Sequence, residues 1–254
     1  MFFGKRKGYR AYPVLALALA MAPMAGWAQS STDQPLQSPD QQTNSQQTIP
    51  PSQRSEVLRQ AQQRVMARRK LRIQQIIRDT YSRQYEFYAG GGYTRFRPGS
   101  YLQHNSEANW NVGITDYKWG NLGVTADFRG YYGTAFVGVN QFQVFKPSIS
   151  QYTFMAGPQY RFFEGQHWGW SAFGLAGLGH GNFGTGTNGF DPTTVGLYPN
   201  GDTFQFAVGA SVDYNITPTL AMRLSPNYMY TRYGSDTQNN LGWNAGMVYR
   251  FGHR

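Results

Sequence analysis

Four histidines are the first place to look for chemistry in this chain of 254 residues. His104 lies in the run QHNSE, so His104, Ser106 and Glu107 offer a base, a hydroxyl and a carboxylate within four residues. A nucleophilic hydroxyl needs a base in hydrogen-bond reach and an acid that orients the base. The three side chains therefore make a candidate catalytic group, provided the fold turns them toward one another. His180 heads the glycine-rich run HGNFGTGTNG, His167 sits in a turn and His253 in the tail. No two histidines have the spacing of metal ligands, so no metal site is expected, and no cofactor is implied. The stretch Gly174–Gly189 lacks the Lys-Ser/Thr pair that completes a phosphate-binding loop. The absence of cysteine excludes disulfides, thiolate ligands and thiol catalysis.

A second constellation is charged. Glu86, Asp127, Arg129, Arg161, Asp213, Arg223 and Arg250 all fall on the polar positions of segments that alternate apolar and polar residues. Isolated buried charges are expensive, so three acids and four bases sharing one interior should pair into a network. Whether they do depends on the elements that carry them.

Those elements read as strands. From Tyr85 to the end, eight stretches alternate with period two: Tyr85–Phe96, Trp110–Tyr117, Asn121–Tyr132, Tyr152–Phe162, Trp168–Gly179, Phe204–Tyr214, Leu220–Thr231 and Asn239–Arg254. Short connections (118–120, 163–167 and 215–219) alternate with long ones (97–109, 133–151, 180–203 and 232–240). Aromatic residues make up 16% of the chain, with 30 glycines, and no run after the leader reaches the ~20 apolar residues of a membrane helix. An even strand count, alternating short turns and long loops, and aromatics at strand ends predict an all-β fold, an eight-stranded antiparallel transmembrane β-barrel. A soluble barrel would turn its apolar face inward and has no reason to alternate its loop lengths.

Three segments precede the barrel of residues 85–254. Residues 1–28 have a basic start, an apolar centre and small residues Gly26 and Ala28, the pattern of a secretory signal peptide. Residues 29–53 are a Gln/Ser/Pro-rich stretch with almost nothing apolar, expected to be a disordered linker. Residues 54–84 contain no Gly or Pro and read as a basic helix with Ser55 as its cap. The formal net charge of +10 divides into +4 in the leader, −2 in the linker, +7 in residues 54–84 and only +1 in the barrel. A pI near 9.8 would otherwise suggest nucleic acid. The nearly neutral barrel argues against it, and the helix instead suits anionic lipid.

The last strand carries Asn244, Gly246, Tyr249 and Phe251 as polar-x-Gly-x-x-aromatic-x-aromatic. This resembles the C-terminal signal read by the barrel-assembly machinery of Gram-negative bacteria, although Gly252, His253 and Arg254 follow the aromatic end. Together with GGYTRFRPGS and NLGVTADFRGYYG, it makes the chain similar to the small eight-stranded outer-membrane β-barrel family, of the OmpA transmembrane domain and OmpX type. The resemblance implies a location in the cell outer membrane with both termini periplasmic. It also implies outer-membrane lipids, lipopolysaccharide and the assembly machinery as partners, and a structural or adhesive role with external loops open to glycan or protein ligands. Lipid A deacylases share this scaffold and use His and Ser, so a lipid A-modifying enzyme built on His104, Ser106 and Glu107 is an alternative, as is a narrow ion channel; the expectation here is no enzyme.

Overall fold

The computed structural model describes residues 51–234 and 236–253. The predicted leader and most of the predicted linker lie outside them. Helix α1 spans Pro51–Tyr81, followed by strands β1 (Tyr85–Phe96), β2 (Asn105–Trp119), β3 (Leu122–Thr134), β4 (Ser148–Glu164), β5 (Trp168–Thr185), β6 (Gly201–Asn215), β7 (Leu220–Thr231) and β8 (Gln238–Phe251). Every strand pairs antiparallel with its sequence neighbours, and β8 pairs with β1 to close the barrel.

The period of two sorts the side chains. Along β7, Leu220, Met222, Leu224, Tyr228 and Tyr230 face out, while Arg223, Ser225, Asn227 and Thr231 are buried inside. Phe154 and Phe204 on the outer face are 58% and 57% exposed. An apolar outside and a polar, filled inside is the arrangement of a barrel surrounded by lipid. The outward run from Leu220 to Tyr230 spans roughly 33 Å along the strand, hence about 25 Å along a barrel axis tilted by ~40°, which is the height of such an apolar band. No helix among the described residues is long and apolar enough to cross a membrane.

Two sets of boundaries differ from the sequence expectation. The helix starts at Pro51, so residues 51–53 belong to it and Ser55 lies inside its second turn instead of capping it. Proline suits the first helical turn because its fixed φ is already helical and its missing N–H has no partner there anyway. The strands also run further at the loop end than the apolar alternation does: β2 begins at Asn105, β4 at Ser148 and β6 at Gly201, and β5 continues to Thr185. Alternation marks where side chains meet lipid, whereas backbone pairing continues past that boundary, with polar side chains such as Ser106, Ser148, His180 and Asp202 facing out.

Three layers fill the interior. Most of the buried charged residues occupy the end that carries the short turns. Tyr131, Met155, Leu175, Ala207 and Met229 form an apolar plug further along. The long loops then fold over the other end around Phe96, Ile149, Phe183, Val195, Leu197 and Tyr233. Two cavities among the lumen residues measure only about 20 and 10 Å³, room for a water molecule each.

Candidate functional site

The candidate catalytic group does not assemble. Ser106 and Glu107 are neighbours on β2, so their side chains leave opposite faces of the sheet: Ser106 is exposed on the outside and Glu107 is 1% exposed in the lumen. Glu107 accepts a hydrogen bond from Gln151 Nε2 at 2.9 Å, and His104 lies in the preceding loop. Desolvation, with help from the guanidinium charges of Arg97 and Arg95, pushes the His104 imidazole below its ordinary value. Ser106 and Glu107 are not presented to it as a hydroxyl–acid pair. Parity along the strand, once β2 is extended back to Asn105, separates Ser106 from Glu107.

The seven lumen charges all point inward, and most of them meet near the turn end. Glu86 on β1 is fully buried. Its Oε1 accepts from Arg161 Nη2 at 2.8 Å and from Arg250 Nε at 2.7 Å, and its Oε2 accepts from Arg223 Nη2 at 2.8 Å. Asp213 accepts from Arg223 Nε at 2.7 Å and from Arg250 Nη2 at 2.8 Å. Arg161 reaches Glu164 at 3.2 Å, so three guanidiniums face three carboxylates and the cluster is neutral. Asp127 and Arg129 pair separately, deeper in the lumen, where Tyr88 donates to Asp127 Oδ2 at 2.5 Å. Strands β1, β4, β6, β7 and β8 each contribute a charge to the turn-end cluster, which therefore ties the two sides of the barrel together across the lumen.

Sequence reasoning missed the tyrosines of this cluster. Tyr117 lies with its ring 3.9 Å from the Arg161 guanidinium, and Tyr88 lies 5.4 Å from that of Arg223. Both occupy the inward parity of their strands, which was the available signal. Tyr81, the last residue of α1, gave no such signal. Its ring covers Arg161 at 4.8 Å and Arg250 at 5.5 Å, so the helix end closes the turn end of the lumen. The Tyr81 hydroxyl accepts from Asn215 Nδ2 at 3.0 Å and lies within 3.2–3.3 Å of the carbonyls of Gly165 and Trp168, to which it can donate. Burial pushes this hydroxyl above the usual tyrosine value, so it stays a donor. Tyr81→Ala is expected to free the C-terminal end of α1, with a loss of about 2 kcal/mol from the missing bonds and thus a rise in its open population of about thirtyfold. Amide hydrogen exchange over residues 70–84 would read it; unchanged protection would refute the stopper role.

The loop end is built as firmly. Asn188 and Gln143 both adopt φ of 54°, a left-handed conformation uncommon outside glycine. Asn188 Nδ2 donates to the carbonyls of Phe142 and Gln143 at 3.4 and 3.3 Å, pinning the β3–β4 loop to the β5–β6 loop. The Phe142 and Phe190 rings pack at 4.9 Å across the same junction. On this cap Tyr101, Phe136 and Val139 remain largely exposed and Phe145 half exposed. Between the first and last long loops a polar cleft of about 300 Å³ opens among Arg97, Ser100, His104, Tyr198, Asp236 and Asn239.

The last strand shows what its end motif does structurally. Asn244 is buried in the lumen and Gly246 faces Gly90 across the β1–β8 seam. Tyr249 and Phe251 face out and stack at 5.9 Å, with Phe251 also stacked on Tyr85 at 5.5 Å. A family model for the outer membrane protein beta-barrel domain matches residues 79–251. The chain belongs to that family. This outer-membrane barrel is also similar in fold to solved structures. Neisserial surface protein A is 12% identical with a TM-score of 0.49, covering 66% of this chain and 97% of its own. Ail of Yersinia pestis, crystallised with the heparin analogue sucrose octasulfate, is 20% identical with a TM-score of 0.44, covering 66% and 99%. OprG of Pseudomonas aeruginosa is 13% identical with a TM-score of 0.43, covering 69% and 99%. No curated protein matches this outer-membrane barrel by sequence.

Proposed function

We propose that this outer-membrane barrel is a surface interaction protein whose folded loop cap faces outside and binds extracellular glycan or protein, with both termini in the periplasm. Short turns on the periplasmic side and long loops outside are the usual layout of such barrels, and this supports the orientation. One observation carries the reading: the loops spend a core of their own on holding a fixed surface that still exposes Tyr101, Phe136, Val139 and Phe145. Phe136, Val139 and Phe145 come from one loop anchored on that core, and exposed apolar side chains gathered on one loop suit a contact site. The cleft beside it offers Arg97 to an acidic group and Asp236 and Asn239 to hydroxyls, a donor and acceptor set that suits an acidic sugar.

Below the cap, outward polar groups sit at the loop-end boundary of the apolar band. His180 Nδ1 and Asp202 Oδ1 lie 2.7 Å apart, the Tyr132 and Tyr152 hydroxyls meet at 2.9 Å, and Tyr228 donates to Asn239 at 2.6 Å. These suit the sugar and phosphate layer of lipopolysaccharide. The assembly machinery is the partner that the Asn244, Gly246, Tyr249 and Phe251 motif addresses.

Folded protein in lipid nanodiscs, passed over immobilised heparin, neutral polysaccharide and matrix proteins, tests the reading. Retention on at least one is expected. Replacing Phe136, Val139 and Phe145 by serine should weaken a protein contact, and Arg97→Ala with His104→Ala a glycan contact, each by about tenfold. Retention on none of these supports would count against the interaction role.

A further inference from the structure

Helix α1 does more than close the lumen. Arg69, Arg72, Ile73 and Ile76 follow the i, i+3, i+4, i+7 spacing that lines one side of a helix. Across a cavity of about 380 Å³ they face Gln166 and His167 of the β4–β5 turn. A volume of this size lies in the range of roughly 300–1,000 Å³ found for sites that hold small molecules.

The depth of this cavity relative to the membrane can be read from its neighbours. His167 stacks on Tyr214 with ring centres 6.3 Å apart, and the next residue, Trp168, packs edge-on to the same ring at 5.1 Å. Trp168 and Tyr214 face outward, half exposed, at the turn-end rim of the apolar band. Tryptophan and tyrosine at a band edge mark the level of lipid headgroups. The cavity therefore opens where the phosphates of one leaflet lie, whichever way the barrel points.

Its chemistry matches that level. Arg69 and Arg72 form no ion pair among the described residues. Guanidinium forks bind phosphate oxygens through paired, charge-assisted hydrogen bonds. Ile73 and Ile76 offer an apolar wall beside them, as the glycerol and upper acyl chain of a lipid would require. Tyr81 anchors the C-terminal end of the helix on the barrel, and Arg69 and Arg72 line the slot beside the β4–β5 turn.

We propose that the slot between α1 and the β4–β5 turn binds the phosphate headgroup of an anionic phospholipid in the leaflet that meets the turn end of the barrel. The proposal rests on the membrane-spanning barrel but not on the loop-cap function, so it stands or falls separately. Location at headgroup depth favours lipid over an acidic protein. The excess of basic residues along α1, eight against two acidic, favours an anionic over a zwitterionic lipid.

The test uses the full mature chain folded in detergent and analysed by native mass spectrometry. Phosphatidylglycerol, phosphatidylcholine and inorganic phosphate are the probes. The wild-type protein is expected to retain phosphatidylglycerol about tenfold better than phosphatidylcholine, and Arg69→Gln with Arg72→Gln to lose that preference. Both arginines are exposed on a helix outside the barrel, so the heat-dependent gel mobility of the double variant should match wild type and separate lost binding from lost folding. Equal retention of both lipids, or a double variant that keeps phosphatidylglycerol, overturns the proposal. Displacement of the lipid by millimolar phosphate would identify a soluble-anion site and overturn the lipid assignment as well.

Discussion

Glu86→Ala is expected to lower the folding stability of the barrel by about 3–5 kcal/mol, the cost of leaving a buried charge without its partner. Three guanidiniums converge on this one carboxylate, from β4, β7 and β8. Asp213 still faces Arg223 and Arg250 after the change, but Arg161 keeps only Glu164, which lies toward the rim. Glu86→Gln keeps the shape and an acceptor oxygen while removing the charge, so it should fall between wild type and alanine. Adding Arg161→Met to Glu86→Ala restores neutrality and should recover part of the loss, because a buried ion pair can often be replaced as a unit. Urea unfolding from lipid vesicles, followed by tryptophan fluorescence, gives the four stabilities. A Glu86→Ala loss below about 1 kcal/mol, typical of an exposed ion pair, would mean the cluster is hydrated and not structural.

The same cluster shows what the sequence made legible. Strand parity alone put Glu86, Asp127, Arg129, Arg161, Asp213, Arg223 and Arg250 on the inward face, because a two-residue period leaves no other choice once the outer face is known. Their partners were not legible, since pairing across a closed barrel depends on strand stagger, which the alternation does not encode. The same parity undid the candidate catalytic group. Taken as a loop, residues 97–109 allow His104, Ser106 and Glu107 to converge; taken as strand from Asn105, they send Ser106 and Glu107 to opposite faces. The loop core around Phe96, Phe183 and Tyr233 was hidden for a different reason: its residues are far apart in sequence and show no period. Tyr81 was hidden too, because one aromatic at the end of a polar helix looks like any other exposed side chain until its partners on β4, β6 and β8 are in place.

The second large effect concerns the seam between the first and last strands. Gly246→Val is expected to prevent closure and abolish the heat-sensitive gel mobility of the folded barrel. A Cβ on Gly246 would stand 2.2 Å from the Ala89 carbonyl oxygen, and one on its partner Gly90 would stand 2.4 Å from that of Ala245. Both obstacles are backbone atoms, so no rotamer change relieves them, and the strands would have to move apart along a seam of paired residues from Tyr85 to Arg95. Overpacking of this kind costs about 1–3 kcal/mol or more where the backbone must shift. Here it acts on the step that joins the two ends of the sheet, after the loop-closure entropy has been spent. Ala245→Val, one residue away but facing lipid, is the control and should fold normally. Refolding into detergent micelles without any assembly machinery separates two roles for this glycine. If Gly246→Val fails there, close strand approach is sufficient reason for glycine in the end motif. If it closes at the wild-type rate in micelles but fails to assemble in cells, the close-approach account is wrong and the glycine serves recognition alone.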